Sequence, residues 1–233
     1  PPMNLGIAIK HSCNPYFYQV YKRLILRGSD PSVFKDSRLG LNSWRNSVEK
    51  FGIGKQLQTD IPGVKKGLLP SVEFYDKWYG KNRWAFSTIY SNSIGEGEIG
   101  VSPLQMANLA AIIANKGHYY TPHLVKKIGD NGSKKAEFLE INNTDVNPKH
   151  FQPIINAMEQ VVLNGTGRSA QIDSISLCGK TGTVENKSFN DHSVFIAFAP
   201  KENPQIAIAV YVEYGTWGGT WAAPIASVLI KYY

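Results

Sequence analysis

The sequence predicts an α+β fold, in which a mostly helical region precedes an antiparallel sheet covered by helices. Apolar residues recur at helical spacing through much of residues 1–150. Residues 151–233 instead contain three apolar, β-rich runs with short connections, and then a closing apolar-faced helix. We therefore predict two regions with a boundary at residue 150.

The helical region begins with two helices joined by a tight corner. Apolar residues recur at helical spacing over residues 4–27, and Asn14-Pro15 interrupts them. The residue before a proline disfavours helical dihedral angles, and proline itself suits the first turn of a helix. We therefore expect a corner at this dipeptide. An amphipathic helix that ends in glycine is predicted over residues 40–54.

Residues 55–101 are rich in glycine, proline, serine and asparagine. We predict a long ordered loop region there, with one short helix near residues 71–79. The clearest helix of the sequence covers residues 102–117, because Ser102 is a suitable N-cap and Gly117 a suitable end.

The remaining elements change from helix to sheet. A strand is predicted at residues 122–128, a polar segment at 129–135 and a helix from about 149 to 164. Three apolar runs then predict an antiparallel meander, and a fourth predicts a helix that covers it. These four runs are residues 175–184, 192–201, 205–213 and 221–233.

The composition is that of an ordinary globular protein, with 42% hydrophobic and 18% charged residues among 233. The formal net charge is +7, but the basic residues are spread along the chain and give little support to a nucleic-acid partner. No stretch of about twenty apolar residues is present to span a membrane. Cys13 and Cys178 lack metal-ligand spacing, and we predict two free thiols, although one disulfide is formally possible.

Residues 177–185, LCGKTGTVE, are compatible with two kinds of anion site. A phosphate-binding loop requires the pattern G-x-x-x-x-G-K-[ST] with a helix after it. Here Ser174 stands where the first glycine belongs, and Gly182, Thr183 and Val184 make a poor helix start. Both spacing and context therefore argue against nucleotide binding.

The alternative is a strand at the edge of a cleft that holds a carboxylate. Lys180 would supply a positive charge, and the hydroxyl groups of Thr181 and Thr183 would donate hydrogen bonds. Gly182 would let a second backbone approach closely, as strand-to-strand binding of a peptide requires. Taken alone, the triplet is equally a surface lysine beside a turn glycine.

A second pattern, Ser12-Cys13-Asn14, lies far upstream at the predicted helix corner. Alone it indicates a capping serine and a helix-breaking asparagine. Ser-x-Asn followed by Lys-Thr-Gly is, however, the order found in penicillin-recognising serine enzymes. Further segments resemble class B penicillin-binding proteins, above all the elongation-type, penicillin-binding-protein-2-like branch. The matching segments are SCNPYFY, FGIG, GLLPS, SIGEGEIGVSPLQMANLAAIIANKG, LCGKTGT, DHSVFIAFAP and WAAPIASVLI.

This resemblance implies a peptidoglycan D,D-transpeptidase with the transpeptidase-like fold of the serine β-lactamases. Such proteins are anchored in the bacterial inner membrane and work on its periplasmic side. The implied partners are stem peptides ending in D-Ala-D-Ala, β-lactams, a glycosyltransferase and proteins of the elongation complex. The chemistry implies no metal or organic cofactor.

The resemblance also implies roles for individual side chains. Ser12 would pass a proton toward the leaving nitrogen, and Asn14 would donate its amide to the acyl carbonyl. Lys180 would keep the local field positive. Thr181 and Thr183 would bind the substrate carboxylate, and the Thr183 N–H would form half of an oxyanion hole.

The family's nucleophile is the serine of a Ser-x-x-Lys motif that precedes Ser-x-Asn, yet none of the eleven residues before Ser12 is a serine. The strings SVFK (32–35) and SVEK (47–50) come later, in the wrong order for this fold, and we reject both. We therefore expect the C-terminal part of a transpeptidase domain, without its nucleophile helix and first two strands. The strand near residues 205–213 would then have an open edge.

That expectation has a chemical corollary: the isolated chain should not be labelled covalently by a fluorescent penicillin. Two alternatives to a transpeptidase stay open. One is a catalytically silent binding or sensor module, and the other is a relative of the serine β-lactamases or carboxypeptidases.

Three further features are candidates for parts of a functional site, with less support from the sequence. Asp191-His192 suggests an acid–base pair, but adjacent strand residues point to opposite faces, so we predict a structural role. His11 is expected to face away from the cleft. Residues 214–221, YGTWGGTW, either border the groove or simply connect two elements.

Overall fold

The computed structural model describes residues 3–129, 132 and 135–233, and the α+β fold is confirmed. The α-helices of the described residues are α1 Leu5–Lys10, α2 Asn14–Ile25, α3 Val33–Glu49, α4 Val72–Tyr79, α5 Phe86–Ile89, α6 Pro103–Ala114, α7 Phe151–Asn164 and α8 Ala222–Lys231. The strands are β1 His118–Tyr120, β2 Ile141–Asn143, β3 Cys178–Val184, β4 His192–Ala199 and β5 Ile206–Val212. None of the described helices is both long and apolar enough to cross a bilayer.

The predicted corner between the first two helices is confirmed. α2 begins at Asn14, with Pro15 in its first turn. Ser12 has a φ of +53°, in the left-handed region that residues other than glycine rarely adopt. The N–H of Cys13 donates to the carbonyl oxygen of Ala8 at 2.9 Å. The chain therefore turns sharply at Ser12 and leaves this serine exposed between the two helices.

The helix predicted at residues 40–54 exists, but α3 begins and ends earlier than those bounds. Its first turns contain buried polar residues whose side chains form hydrogen bonds with other parts of the chain. The carboxylate of Asp36 accepts two backbone N–H groups of the preceding loop, at 2.8 and 2.9 Å. The hydroxyl group of Ser37 accepts the N–H of Phe86 at 2.9 Å. These contacts are tertiary, which is why an apolar periodicity did not reveal this part of the helix.

The long loop region contains the predicted α4, and also two elements that were not predicted: α5 and a 3₁₀ turn at Tyr90–Ile94. The side chain of Gln105, which is 1% exposed, ties the region to α6. Its Nε2 donates to the carbonyl oxygens of Gly52 at 2.9 Å and Lys66 at 3.0 Å. Ser102 caps α6 as predicted.

The prediction of a strand at residues 122–128 is wrong. Instead β1 pairs antiparallel with β2. The carboxylate of Asp60 accepts the N–H groups of Leu124 at 2.8 Å and Val125 at 2.9 Å, so these donors are taken and cannot join a strand ladder. Of the polar segment predicted at 129–135, residues 130, 131, 133 and 134 lie outside the described part.

The three β-rich runs form one antiparallel sheet in the order β3-β4-β5, as predicted. On one face, Phe195 packs in a cluster with Ala226 of α8. On the other face, Phe198 packs with Met158 of α7. α6 also packs against β5 and β4, so the helical region contributes to the core beneath the sheet. β3 and β5 are the two edges of this sheet.

The close contact between α2 and α3 predicts a glycine requirement at residue 40. A methyl group at Gly40 would lie 2.0 Å from the carbonyl oxygen of Ile25, whereas one at the helical Gly6 would lie 3.5 Å from Asn4 Oδ1, its nearest neighbour. We expect Gly40→Ala to lower the free energy of unfolding by about 1–3 kcal/mol through overpacking. Gly6→Ala should keep or raise it by up to about 1 kcal/mol. Urea unfolding followed by circular dichroism checks both, and equal stabilities would contradict the packing argument.

Candidate active site

Lys180 on β3 reaches across to the corner between α1 and α2. Its Nζ donates hydrogen bonds to Ser12 Oγ and to the Thr181 carbonyl oxygen, both at 2.7 Å. Two patterns that are 168 residues apart in the chain therefore meet at one ammonium group. The lysine is half-buried, and burial lowers the pKa of its ammonium group to about 8.

One edge of β3 has no strand partner among the described residues. In an antiparallel ladder, successive residues turn their backbone N–H and C=O groups to opposite edges. The C=O of Thr181 accepts from the lysine ammonium group, and the N–H of Glu185, just beyond β3, donates to a carboxylate of the helical region. The backbone groups of Thr181, Thr183 and Glu185 therefore face the open edge.

The hydroxyl group of Thr181 lies 2.7 Å from that of Thr166. Thr166 lies two residues after the end of α7, and its N–H donates to the carbonyl oxygen of Lys10, at the end of α1, at 3.4 Å. It therefore connects α7, α1 and β3 beside the site. Thr166 was not among the predicted site residues; the signal available in the sequence is a hydroxyl residue between Gly165 and Gly167 at a helix end.

The loop at residues 214–221 borders β3, so it is more than a connector. The N–H of Gly218 donates to Thr183 Oγ1 at 3.4 Å. A Cβ atom at Gly218 would lie 2.4 Å from the carbonyl oxygen of Gly182, so the two backbones touch. The protein's own loop therefore covers one face of β3 at Gly182, and the approach of a peptide backbone to this glycine stays a prediction.

Asn14 is exposed at the first position of α2. Within residues 3–129, 132 and 135–233, its side chain has no hydrogen-bond partner. The structure thus brings Ser12, Lys180 and Thr181 into contact but leaves the Asn14 amide facing solvent. His11 is also exposed.

The rejected string at residues 47–50 has structural partners for both its serine and its lysine. The hydroxyl group of Ser47 donates to the carbonyl oxygen of Ser43 in α3 at 3.2 Å. Lys50 forms an ion pair with Asp145 at 2.7 Å. In the other string, Ser32 stands at the N-cap position of α3. The contacts of Ser47 and Lys50 account for these two residues without a catalytic role.

Asp191 and His192 also make structural contacts. The N–H of Tyr214 donates to His192 Nδ1 at 3.1 Å, and the imidazole ring packs beside the rings of Tyr211 and Tyr214. The carboxylate of Asp191 accepts the N–H of Asn186 at 3.0 Å. His192 therefore joins the start of β4 to the end of β5, and Asp191 closes the turn between β3 and β4.

The cysteines are both free, as predicted. Cys178 is buried, and burial raises the pKa of its thiol to about 12. In the described part of the chain, no group of three or more His, Cys, Asp or Glu side chains is placed to hold a metal ion.

Comparison with known proteins agrees with this geometry. Residues 1–231 match the family model of the penicillin binding protein transpeptidase domain. The peptidoglycan D,D-transpeptidase MrdA of Acinetobacter baumannii is 31% identical over 99% of this chain and 34% of its own length. The MrdA of Haemophilus influenzae is 30% identical over 99% of this chain and 36% of its own length. The chain thus spans about a third of the length of these relatives.

Solved structures give the same result. The Pseudomonas aeruginosa penicillin-binding protein 2 (PBP2), crystallised with WCK 5153, has 30% identity and a TM-score of 0.80, over 98% of this chain and 47% of that one. A Helicobacter pylori PBP2 in complex with MreC has 24% identity and a TM-score of 0.77, over 99% of this chain and 40% of that one, and shows the fold alone. This chain belongs to the penicillin-binding protein transpeptidase domain family.

Proposed function

We propose that this chain is the carboxylate-binding part of a peptidoglycan D,D-transpeptidase, which cross-links stem peptides ending in D-Ala-D-Ala. The observation that carries the proposal is the hydrogen bond between Lys180 Nζ and Ser12 Oγ beside the open edge of β3. It sets a positive charge and a hydroxyl group next to a strand along which a peptide can lie. The family membership supports the reaction type.

The proposed reaction has two acyl-transfer steps. The serine of the family's Ser-x-x-Lys motif attacks the carbonyl carbon between the last two D-alanines; an ester replaces the amide, and D-alanine leaves as its nitrogen takes up a proton. The amine of a second stem peptide then attacks the ester, forms the cross-link and returns the serine hydroxyl. β-Lactams would acylate the same serine. None of residues 1–11 is a serine, so this chain would supply the groups that bind the substrate and transfer its protons.

Three groups would bind the substrate carboxylate. Lys180 would attract it by charge, and the hydroxyl groups of Thr181 and Thr183 would donate to it. Thr183 Oγ1 accepts from the Gly218 N–H, so its own proton remains available to a ligand. The Thr183 N–H, on the open edge, would donate to the acyl oxygen as negative charge develops there.

Ser12 and Asn14 would act at the reacting bond. Because Ser12 Oγ accepts a hydrogen from Lys180, its own proton points elsewhere and can pass to the leaving nitrogen. A lysine pKa of about 8 suits this exchange near neutral pH, because the pKa then lies close to the working pH. The exposed Asn14 amide would donate to the acyl carbonyl of the substrate.

The setting of the protein is proposed by similarity. The Helicobacter pylori relative was solved with MreC. We propose that this protein likewise works with elongation-complex proteins and a glycosyltransferase, from an inner-membrane anchor, on the periplasmic side. Residues 1–150 and 151–233 would act as the regions that present Ser-x-Asn and Lys-Thr-Gly to each other.

The first test removes the charge of Lys180. We expect Lys180→Met to weaken binding of an N-acetylated pentapeptide ending in D-Ala-D-Ala by about 10- to 100-fold, because a charge-assisted hydrogen bond is lost. Lys50→Met, which removes a lysine paired with Asp145, should bind like the wild type. Isothermal titration calorimetry measures both. If the C-terminal amide of the same peptide binds the wild-type protein as tightly as the acid does, carboxylate recognition is wrong.

The second test uses pH. Only the protonated lysine attracts a carboxylate, and its pKa in the free protein is about 8. We therefore expect the affinity for the peptide acid to be constant between about pH 5 and pH 7, where the peptide carboxylate stays ionised and Lys180 stays protonated. Above pH 8 it should fall by up to about tenfold per pH unit, until the higher pKa of the complex is reached. Lys180→Arg should flatten this profile, because arginine stays charged. A pH-independent affinity of the wild-type protein up to pH 10 would contradict the assignment.

A further inference from the structure

A second contact joins the helical region to β3, at the far end of the open edge. The carboxylate Oε1 of Glu96 accepts the backbone N–H of Glu185 at 3.3 Å. Glu96 belongs to the loop between the 3₁₀ turn at Tyr90–Ile94 and α6, and it is half-buried. The proposed reaction assigns no role to this carboxylate.

The loop that carries Glu96 is held by a buried polar network. The Asn92 amide donates to the hydroxyl group of Tyr75 at 2.9 Å, and that hydroxyl donates to Glu98 Oε2 at 2.8 Å. Asn92 is 4% exposed and Tyr75 is fully buried. The N–H of Glu96 itself donates to the carbonyl oxygen of Ser91 at 3.2 Å. The loop therefore has a defined position, from which the carboxylate of Glu96 extends to β3.

The bonded N–H group belongs to the edge that the proposed function assigns to the substrate. The N–H groups of Thr181, Thr183 and Glu185 alternate onto this edge, and Glu185 lies two residues, or about 7 Å, beyond Thr183. A peptide that adds to β3 as an antiparallel strand bonds to such groups with its own carbonyl oxygens. The carboxylate of Glu96 thus occupies a donor that a sufficiently long peptide would need.

The reach of a peptide follows from the strand spacing. With its carboxylate at Lys180 and Thr181, and the acyl carbonyl at the Thr183 N–H, the last two residues fill the edge as far as Thr183. At about 3.4 Å per residue, the third and fourth residues from the carboxylate lie opposite Glu185. A dipeptide therefore leaves Glu96 in place, whereas a pentapeptide meets it.

We propose that Glu96 is a displaceable cap on the open edge of β3, and that it makes peptide binding dependent on length. This inference rests on the proposed function, because it takes the open edge as the place where the stem peptide lies. Neither Glu96 nor Glu185 forms a salt bridge within the described residues, so displacing the cap breaks one hydrogen bond and no ion pair. Short ligands bind beside the cap, and longer ones replace its carboxylate with a backbone carbonyl.

The test compares two peptide lengths in matched variants. Affinities of N-acetylated D-Ala-D-Ala and of an N-acetylated pentapeptide with that ending and alanine at the other positions are measured for wild type, Glu96→Ala, Glu96→Gln and Glu140→Ala. Glu140 is an exposed carboxylate outside the site, so its variant controls for net charge. We expect Glu96→Ala to bind the pentapeptide at least fivefold tighter than wild type and the dipeptide within twofold. Glu96→Gln should fall between, and Glu140→Ala should match wild type.

A ligand-free measurement separates this proposal from the proposed function. Hydrogen exchange of the Glu185 amide, followed by nuclear magnetic resonance, should be faster in Glu96→Ala than in wild type, with Glu140→Ala unchanged. If wild type and Lys180→Met bind both peptides equally, the proposed function fails, and the exchange rate still reports on the cap. Equal exchange in wild type and Glu96→Ala overturns the cap. So does an equal change in affinity for the two peptide lengths.

Discussion

The site depends on one hydrogen bond, between the ammonium group of Lys180 and the hydroxyl group of Ser12. It connects the edge strand of the sheet to a helix corner, so it sets the position of these two elements relative to each other. The ammonium group is partly removed from water, which weakens its hold on a proton while strengthening its interactions with nearby dipoles and charges. A carboxylate that enters beside the ammonium group would stabilise its positive charge in place of the lost water.

Local signals were sufficient for much of the fold. Asn14-Pro15 predicts the start of α2, and so the corner before it, because proline suits the first turn of a helix wherever the rest of the chain lies. Ser102 predicts the start of α6 for the same kind of reason. The three strands near the C-terminus follow from apolar runs bounded by turn-forming residues. The pairing of Ser12 with Lys180 is not local, and it was predicted only because the order of the two motifs resembles a known family.

The features that the sequence patterns did not predict involve polar side chains that bond to groups far away in the chain. Asp60 takes the N–H groups at residues 124 and 125, and the apolar run there does not become a strand. The hydroxyl of Ser37 accepts the N–H of Phe86, within a helical segment whose apolar spacing is poor. Thr166 and Glu96 reach β3 from two other elements. Neither residue stands in a pattern that spacing alone distinguishes from an ordinary turn.

The two thiols of the chain differ in their accessibility to reagents. Cys13 lies half-buried between Ser12 and Asn14, whereas Cys178 is enclosed in the core with its proton firmly held. Alkylating reagents attack thiolates, so they discriminate between an accessible sulfur and an enclosed one. The protein therefore carries a natural attachment point for a spectroscopic reporter directly beside Ser12, with no second reactive thiol to remove first.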